Sequence, residues 1–312
     1  MPRAAPPKAI RRSRCGSRSV TGPYVPDPAN PILTSATSRA TGRIRSPRAG
    51  HAQLVETPAG WWATFLAVRP YAGDFYSTGR ETFLLPVRWE SGWPRITDPG
   101  QAIPYAHARP KFAGQPAPAV PTSGPFTIRD DFSGTKLPAY WMMMRNPAHA
   151  LVCARSRRAR AHRASRRLGD DANPSFLARR QQHTDATAET LVRFAPGHDG
   201  DRAGLVVLQN DDYWTFVGVA MQAGKRVVTL ESRNGPSQPS VGVPIASAPL
   251  TGAAGAPLRL RVRAKGAAYA FDYATIAGRW KQLGTIDGTM LSTKTAGGFV
   301  GAVFGVYAHA GQ

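Results

Sequence analysis

Residues 258–264 read LRLRVRA, with Leu258, Leu260 and Val262 alternating with arginines. An extended strand sends successive side chains to opposite faces, so this order places the apolar set on one side and the guanidinium groups on the other. Short runs of strand formers recur through the second half of the chain. They cover Phe126–Phe132, Phe176–Arg180, Thr187–Phe194, Ala203–Gln209, Tyr213–Met221, Arg226–Ser232, Tyr269–Tyr273 and Phe299–Ala308, with turn residues between them. No stretch carries a helical apolar period of useful length. Many short strands at this spacing predict an antiparallel sandwich, and the chain reads as all-β.

The first half is organised around Gly50 to Trp93, which holds three further strand-like runs. His51 stands at the start of the first. Trp61 to Val68, WWATFLAV, form the second, and Arg80 opens the third, RETFLLPVRW. The loop between the last two, RPYAGDFYSTG, is rich in aromatics and glycine, a composition that can line a ligand site. Residues 99–124 are rich in proline and alanine and predict an extended linker. The expected organisation is therefore a disordered basic N-terminus (1–16), a first β portion (17–98), the linker (99–124) and a sandwich (125–312).

A net charge of +21 invites a nucleic-acid reading. Its distribution argues against one: residues 1–48 carry +9 and residues 149–180 carry +7, leaving +5 for all the others. The second segment includes CARSRRARAHRASRR, which has neither an apolar period nor interleaved aromatics. It reads as a solvated loop, and a shifted reading frame in GC-rich DNA would give the same text. Cys15 and Cys153 lack metal-ligand spacing, so neither a zinc site nor a disulfide is expected. There is no apolar run of about 18 residues, so no transmembrane helix is expected. The basic N-terminus lacks the apolar core of a secretory signal, which favours a cytoplasmic location.

The stretches GHAQLVET, the WW pair, RPY and TGRETFLLPV occur in that order, preceded by SRSVTGPYVPDPANPILT. Together they resemble the last part of the five-bladed propeller of glycoside hydrolase family 43, in its β-xylosidase and α-L-arabinofuranosidase branch. Independently, DDFSGTKLPAYWMMMRNP, PSFLARRQQH, AGLVVLQNDDYWTFVGV and DGTMLSTKTAGGFVGAVFGVYAH resemble the C-terminal concanavalin-A-like sandwich of the same hydrolases. Between His149 and Arg167 the likeness lapses. A sandwich strand is expected to be missing there, which would expose a sheet edge.

The resemblance implies inverting hydrolysis of xylosides or arabinofuranosides. That chemistry needs a carboxylic acid and a carboxylate base flanking the scissile bond, about 6.5–9.5 Å apart. The family takes them from blades that would precede Ser17, and no position here matches them. No catalytic residue is therefore assigned, and the chain is expected to be a truncated form that is inactive alone. Glu56, Asp74 and Glu81 lie in the right region but form no convincing pair. What the resemblance does carry over is sugar contact: His51 through GHA, Arg80 through GRET and Phe299 through GGFVGA. An imidazole can hydrogen-bond a hydroxyl, and a guanidinium fork suits two hydroxyls or a carboxylate. The tryptophans Trp61, Trp62, Trp89 and Trp93 read chiefly as packing.

No cofactor or metal is implied. Asp130–Asp131 and Asp211–Asp212 read as turn caps, with calcium as the minor alternative. The expected partner is a xylo- or arabino-oligosaccharide, with no nucleic acid and no membrane, and a homo-oligomer stays open. The alternative function is a non-catalytic carbohydrate-binding or structural sandwich.

Overall fold

The computed structural model describes residues 15–33, 49–98 and 101–311, apart from positions 105, 112, 113, 115, 117, 119, 122, 123, 150, 155, 156 and 163. Most of the expected disordered N-terminus, residues 1–14, lies outside the described residues. The chain forms two compact units. One comprises residues 1–70 and 80–124; the other comprises residues 71–79 and 125–312.

The first unit contains β1 (Cys15–Gly16), β2 (Val25–Pro26), β3 (Gly50–Thr57), β4 (Gly60–Ala67), β5 (Glu81–Pro86), β6 (Arg88–Glu90) and β7 (Trp93–Arg95). Strands β3, β4 and β5 make an antiparallel meander, while β1–β2 and β6–β7 are separate pairs. One face of β4 supplies Ala63, Phe65 and Ala67 to a core completed by Ile32, Leu33, Leu85 and Ile96. The carbonyl of Ile32 accepts from the Ile96 N–H at 3.2 Å, drawing the segment after β2 onto the end of β7. The proline-rich stretch carries no strand or helix at its described positions. Even so, Ile103 is buried in the same core, and the His107 ring meets Trp62 edge-on at 5.9 Å. Burial of that side chain gives the stretch a reason to run along a surface.

The second unit is the sandwich. Its strands are β8 (Met142–Met143), β9 (Val152–Ala154), β10 (Ala159–Ala161), β11 (Ser175–Arg180), β12 (Asp185–Val192), β13 (Arg202–Asn210), β14 (Tyr213–Gln222), β15 (Lys225–Asn234), β16 (Val243–Pro249), β17 (Leu258–Lys265), β18 (Ala268–Thr275), β19 (Lys281–Asp287) and β20 (Val303–His309). One sheet has the order β16-β15-β14-β13-β20-β11-β8 and the other β12-β17-β18-β19. Leu205, Val207, Val217 and Val228 of the large sheet face Leu258, Leu260, Val262 and Phe271 of the small one. The alternation in LRLRVRA therefore aims as expected. The opposite face of the large sheet carries Val206, Leu208, Trp214 and Phe216 with Leu168 and Tyr307.

Several expected strands differ. Phe126–Phe132 forms none. Asp130 accepts from the Phe132 N–H (2.8 Å), the Tyr140 hydroxyl (2.8 Å) and the Trp141 indole (2.7 Å), so side chains hold the segment as a turn and it joins no ladder. The last strand begins at Val303, leaving Phe299 and Val300 exposed before it. Strands β16 and β19 were not anticipated. In the arginine-rich segment β9 and β10 pair with each other. At the end of the large sheet β8 offers only two residues to β11, so that edge is short.

Residues 71–79, which follow β4 in sequence, belong to the sandwich unit. The Ala302 N–H donates to the Ser77 carbonyl at 2.7 Å, and the Tyr76 N–H donates to Ser292 Oγ at 2.9 Å. Gly79 bridges Val300. Gln181 donates to Ser77 Oγ and accepts from the Tyr269 hydroxyl. Gly79 is needed twice over, since its φ of 71° is left-handed and an added Cβ would lie 2.3 Å from the Gly301 nitrogen. Among the described residues no helix is long and apolar enough to cross a membrane.

Candidate functional site

The meander's register gathers the first two predicted contact residues. Gly50 and Thr82 both pair with Leu66 of the central strand, so the start of β3 and the start of β5 share one end of the sheet. His51 follows Gly50 and Arg80 precedes β5. Two strand spacings, roughly 10 Å, separate the flanking strands at this level.

His51 is exposed, and its φ of 53° is left-handed. The register slips between Gly50 and Gln53. A bulge of this kind re-aims a side chain and ends regular pairing. Few non-glycine residues tolerate positive φ, and such strain concentrates at functional positions. The imidazole makes no hydrogen bond to any described residue, so it is not a histidine satisfied at a strand end.

Beside it, Arg69 grips Glu81 through Nε (2.8 Å) and Nη2 (2.6 Å). Both carboxylate oxygens are thus held by one guanidinium fork, and Glu81 serves as a brace at this end of the sheet. Arg69 lies twelve residues before Glu81; nothing in the local sequence marks the two as partners.

Phe299 lies in the other unit, in the loop before β20, and is 66% exposed. It is therefore not the core phenylalanine that a strand position would make it. Asp74 is also in that unit, exposed and at φ 59°. The neighbouring Gly73 carbonyl accepts from Lys294 Nζ at 2.7 Å, and the same ammonium sits 4.5 Å from the centre of the Phe75 ring. Of the three predicted contact residues, His51 and Arg80 share a sheet end, while Phe299 belongs to the sandwich.

Residues 1–124 contain six acids: Asp27, Glu56, Asp74, Glu81, Glu90 and Asp98. Asp27 is buried against Arg95, whose hydrogen bond is the main cause of a pKa below the usual carboxylate value. Glu90 and Asp98 both pair with Arg88. Glu56 is exposed one pair from the β3–β4 turn, at the end of β3 opposite His51. None of these offers an opposed acid and base beside His51.

The paired acids of the sandwich are engaged structurally. Burial pushes Asp130 up, but its donors Trp141, Phe132 and Tyr140 outweigh that and leave its pKa lowered. Asp211 pairs with Arg145 and Asp212 with Arg233. Among the described residues no group of three or more His, Cys, Asp or Glu is placed to hold a metal ion.

A three-stranded meander followed by a two-sheet sandwich defines an all-β class of protein with a bladed part and a lectin-like part. Family models describe both parts. The Beta xylosidase C-terminal Concanavalin A-like domain matches residues 129–312, and the Glycosyl hydrolases family 43 model matches residues 8–94. The chain belongs to glycoside hydrolase family 43. It is 31% identical over 301 residues to a non-reducing end α-L-arabinofuranosidase of Bacteroides ovatus, covering 94% of this chain and 53% of that protein. The solved Bacteroides ovatus xyloglucan PUL GH43B structure superposes with a TM-score of 0.81 at 29% identity, covering 95% of this chain and 56% of that one. A xylan β-1,4-xylosidase structure from Bacillus halodurans C-125 gives a TM-score of 0.77 at 27% identity, with 95% and 56% covered. The chain thus spans about half the length of the relatives it matches.

Proposed function

We propose that the chain is part of a glycoside hydrolase that acts on non-reducing xylose or arabinofuranose units. In this reading His51 and Arg80 contact the sugar. The observation that carries it is the exposed imidazole of His51, without a partner among the described residues, on a strained bulge at the sheet end that also holds Arg80. Such a group can donate to or accept from a hydroxyl, and the guanidinium can take two more. Family membership supplies the substrate class.

Inverting hydrolysis also needs the opposed acid and base. In our reading these come from outside the 312 residues, so the chain alone binds sugar without cleaving it. The engagement of Asp27, Glu81, Glu90 and Asp98 by arginines equally favours a second reading, a non-catalytic carbohydrate-binding module. Both readings predict binding. Calorimetric titration of the full chain with xylobiose and with an arabinofuranosyl-substituted xylotriose tests it. His51→Ala and Arg80→Lys should each weaken binding about tenfold, the effect of one lost charge-assisted or well-placed hydrogen bond. Unchanged affinity in both variants would remove these residues from the site. His51→Ala should leave the melting temperature nearly unchanged, as for other exposed positions.

A further inference from the structure

The arginines of LRLRVRA stand on the outer face of the small sheet, opposite the core. There they build an arrangement that the proposed sugar pocket does not use. Arg261 and Arg263 both donate to the buried carboxylate of Asp272, at 2.9 Å from Arg261 Nε and at 2.7 and 3.1 Å from Arg263. That carboxylate fixes their stems. Trp280, in the turn before β19, lies across the neighbouring guanidinium groups, its ring centroid 4.3 Å from Arg259 Cζ and 4.2 Å from Arg261 Cζ. Arg259 and Arg261 are two residues apart on one strand and so rise from the same face. Both contact the indole, which is only part-buried.

Arg259 differs from its two neighbours. It makes the contact with the indole but no hydrogen bond or ion pair with any described residue. A guanidinium packed against an aromatic ring spends no N–H donor on that contact, so its fork stays available to a carboxylate. Leu191, its cross-strand partner on β12, is 49% exposed and extends the apolar surface beside it. Arg279 and Lys281 flank Trp280 in the chain and are exposed. Asp272 offsets only part of this positive charge, and Glu189 stands 3.8 Å from Arg261.

We propose that Trp280 and Arg259 form a second carbohydrate-binding surface, specific for an oligosaccharide that carries a uronate. The indole would stack on a pyranose ring and Arg259 would take the carboxylate in its fork. Charge complementarity favours an acidic occupant. A single indole suits one sugar ring better than the successive bases of a nucleic acid, which call for several stacking platforms. The choice of a sugar rests on the function proposed above, but the surface is separate from His51 and Arg80 and is tested separately.

The probe is a xylotriose bearing one glucuronate branch, titrated calorimetrically into the full chain at low and moderate salt. The control is the same oligosaccharide with its carboxyl reduced to the alcohol. The acidic sugar should bind about tenfold more tightly than the reduced one, and the difference should shrink with salt. Arg259→Gln and Trp280→Ala should each lower affinity for the acidic sugar about tenfold and abolish its advantage over the reduced one. Arg259→Lys, which keeps charge and stem but not the planar fork, should also lose affinity and decides the matter should Trp280→Ala fold poorly. Four results would overturn the proposal. These are equal affinity for the reduced sugar, insensitivity to both Arg259 variants, loss of binding in His51→Ala with the Trp280 and Arg259 variants intact, or tighter binding of an oligothymidylate. Binding of the acidic sugar at this surface together with failure of xylobiose to bind would sink the pocket reading and leave this one standing.

Discussion

In the sandwich, two sheets enclose Val228, Leu260, Val262 and Phe271 between them, and the outer face of the large sheet has its own apolar cover around Phe216 and Tyr307. In the meander β3–β5, one face packs Ala63, Phe65 and Leu85, while Val55 and Leu84 remain 47% and 41% exposed. Both regions alternate apolar residues along their strands, yet only the sandwich closes its core with a second full sheet. A propeller blade normally packs against neighbours on both sides, so a meander with one covered face is the expected form of a blade element without that company. What the meander gathers at one sheet end is polar: a strained histidine, a braced glutamate and an arginine. The closed core thus lies in one region and the proposed sugar contacts in the other.

The largest effect should come from the sandwich core. Phe271→Ala removes a fully buried ring between the sheets and should cost about 3–5 kcal/mol. Leu84→Ala on the half-exposed blade face should cost under about 1 kcal/mol. Urea unfolding of the two variants measures the contrast, and equal losses would break the comparison.

A smaller effect concerns Asp272. Burial pushes its pKa up, but Arg263 and Arg261 more than offset that and hold it below the usual carboxylate value. A depressed folded pKa means a contribution that is fully present above the unfolded value and is lost as pH falls through the folded one. The sandwich should therefore lose stability below about pH 4. Asp272→Asn should lower stability at neutral pH by about 2 kcal/mol, less than a fully enclosed pair would lose because Arg263 is half exposed, and it should flatten the acid limb. Melting temperatures between pH 3 and 7 provide the check; an unchanged acid limb in Asp272→Asn would assign it to other carboxylates. A change of comparable size is Gly79→Ala, which strains a left-handed position and crowds Gly301 for about 1–3 kcal/mol. Hydrogen exchange should then quicken at Ala302 and Tyr76, whose N–H groups bond across that contact. Retained protection would show that the loop does not depend on the approach of Gly79 to Gly301.

Much of this was legible in the residues. LRLRVRA announced its two faces, and the long runs at β13, β14 and β15 declared themselves because apolar residues and turns agreed there. GHA and GRET marked His51 and Arg80, but the register that brings them to one sheet end had to come from the fold. Phe126–Phe132 misled because a strand-like composition is outweighed by one aspartate with three donors around it. Strand β16, VPIASAP, hid behind its prolines, which are tolerated at a sheet edge. The sandwich's hold on residues 71–79 was not readable, since it rests on main-chain bonds to Ser77 and Tyr76 from positions more than two hundred residues away. The platform at Trp280 was missed for the same reason: it needs the pairing of β17 with β18 and the turn that folds the indole back.

The central claim is that this chain holds the rim of a sugar pocket without the opposed carboxyl groups that break a glycosidic bond. Steady-state assay of the purified 312-residue chain with para-nitrophenyl β-xylopyranoside and α-L-arabinofuranoside tests it most directly. The account predicts no release of nitrophenol above the buffer rate on either substrate. Sustained turnover that disappears in His51→Ala would contradict it, since an acid and a base would then have to stand beside that histidine.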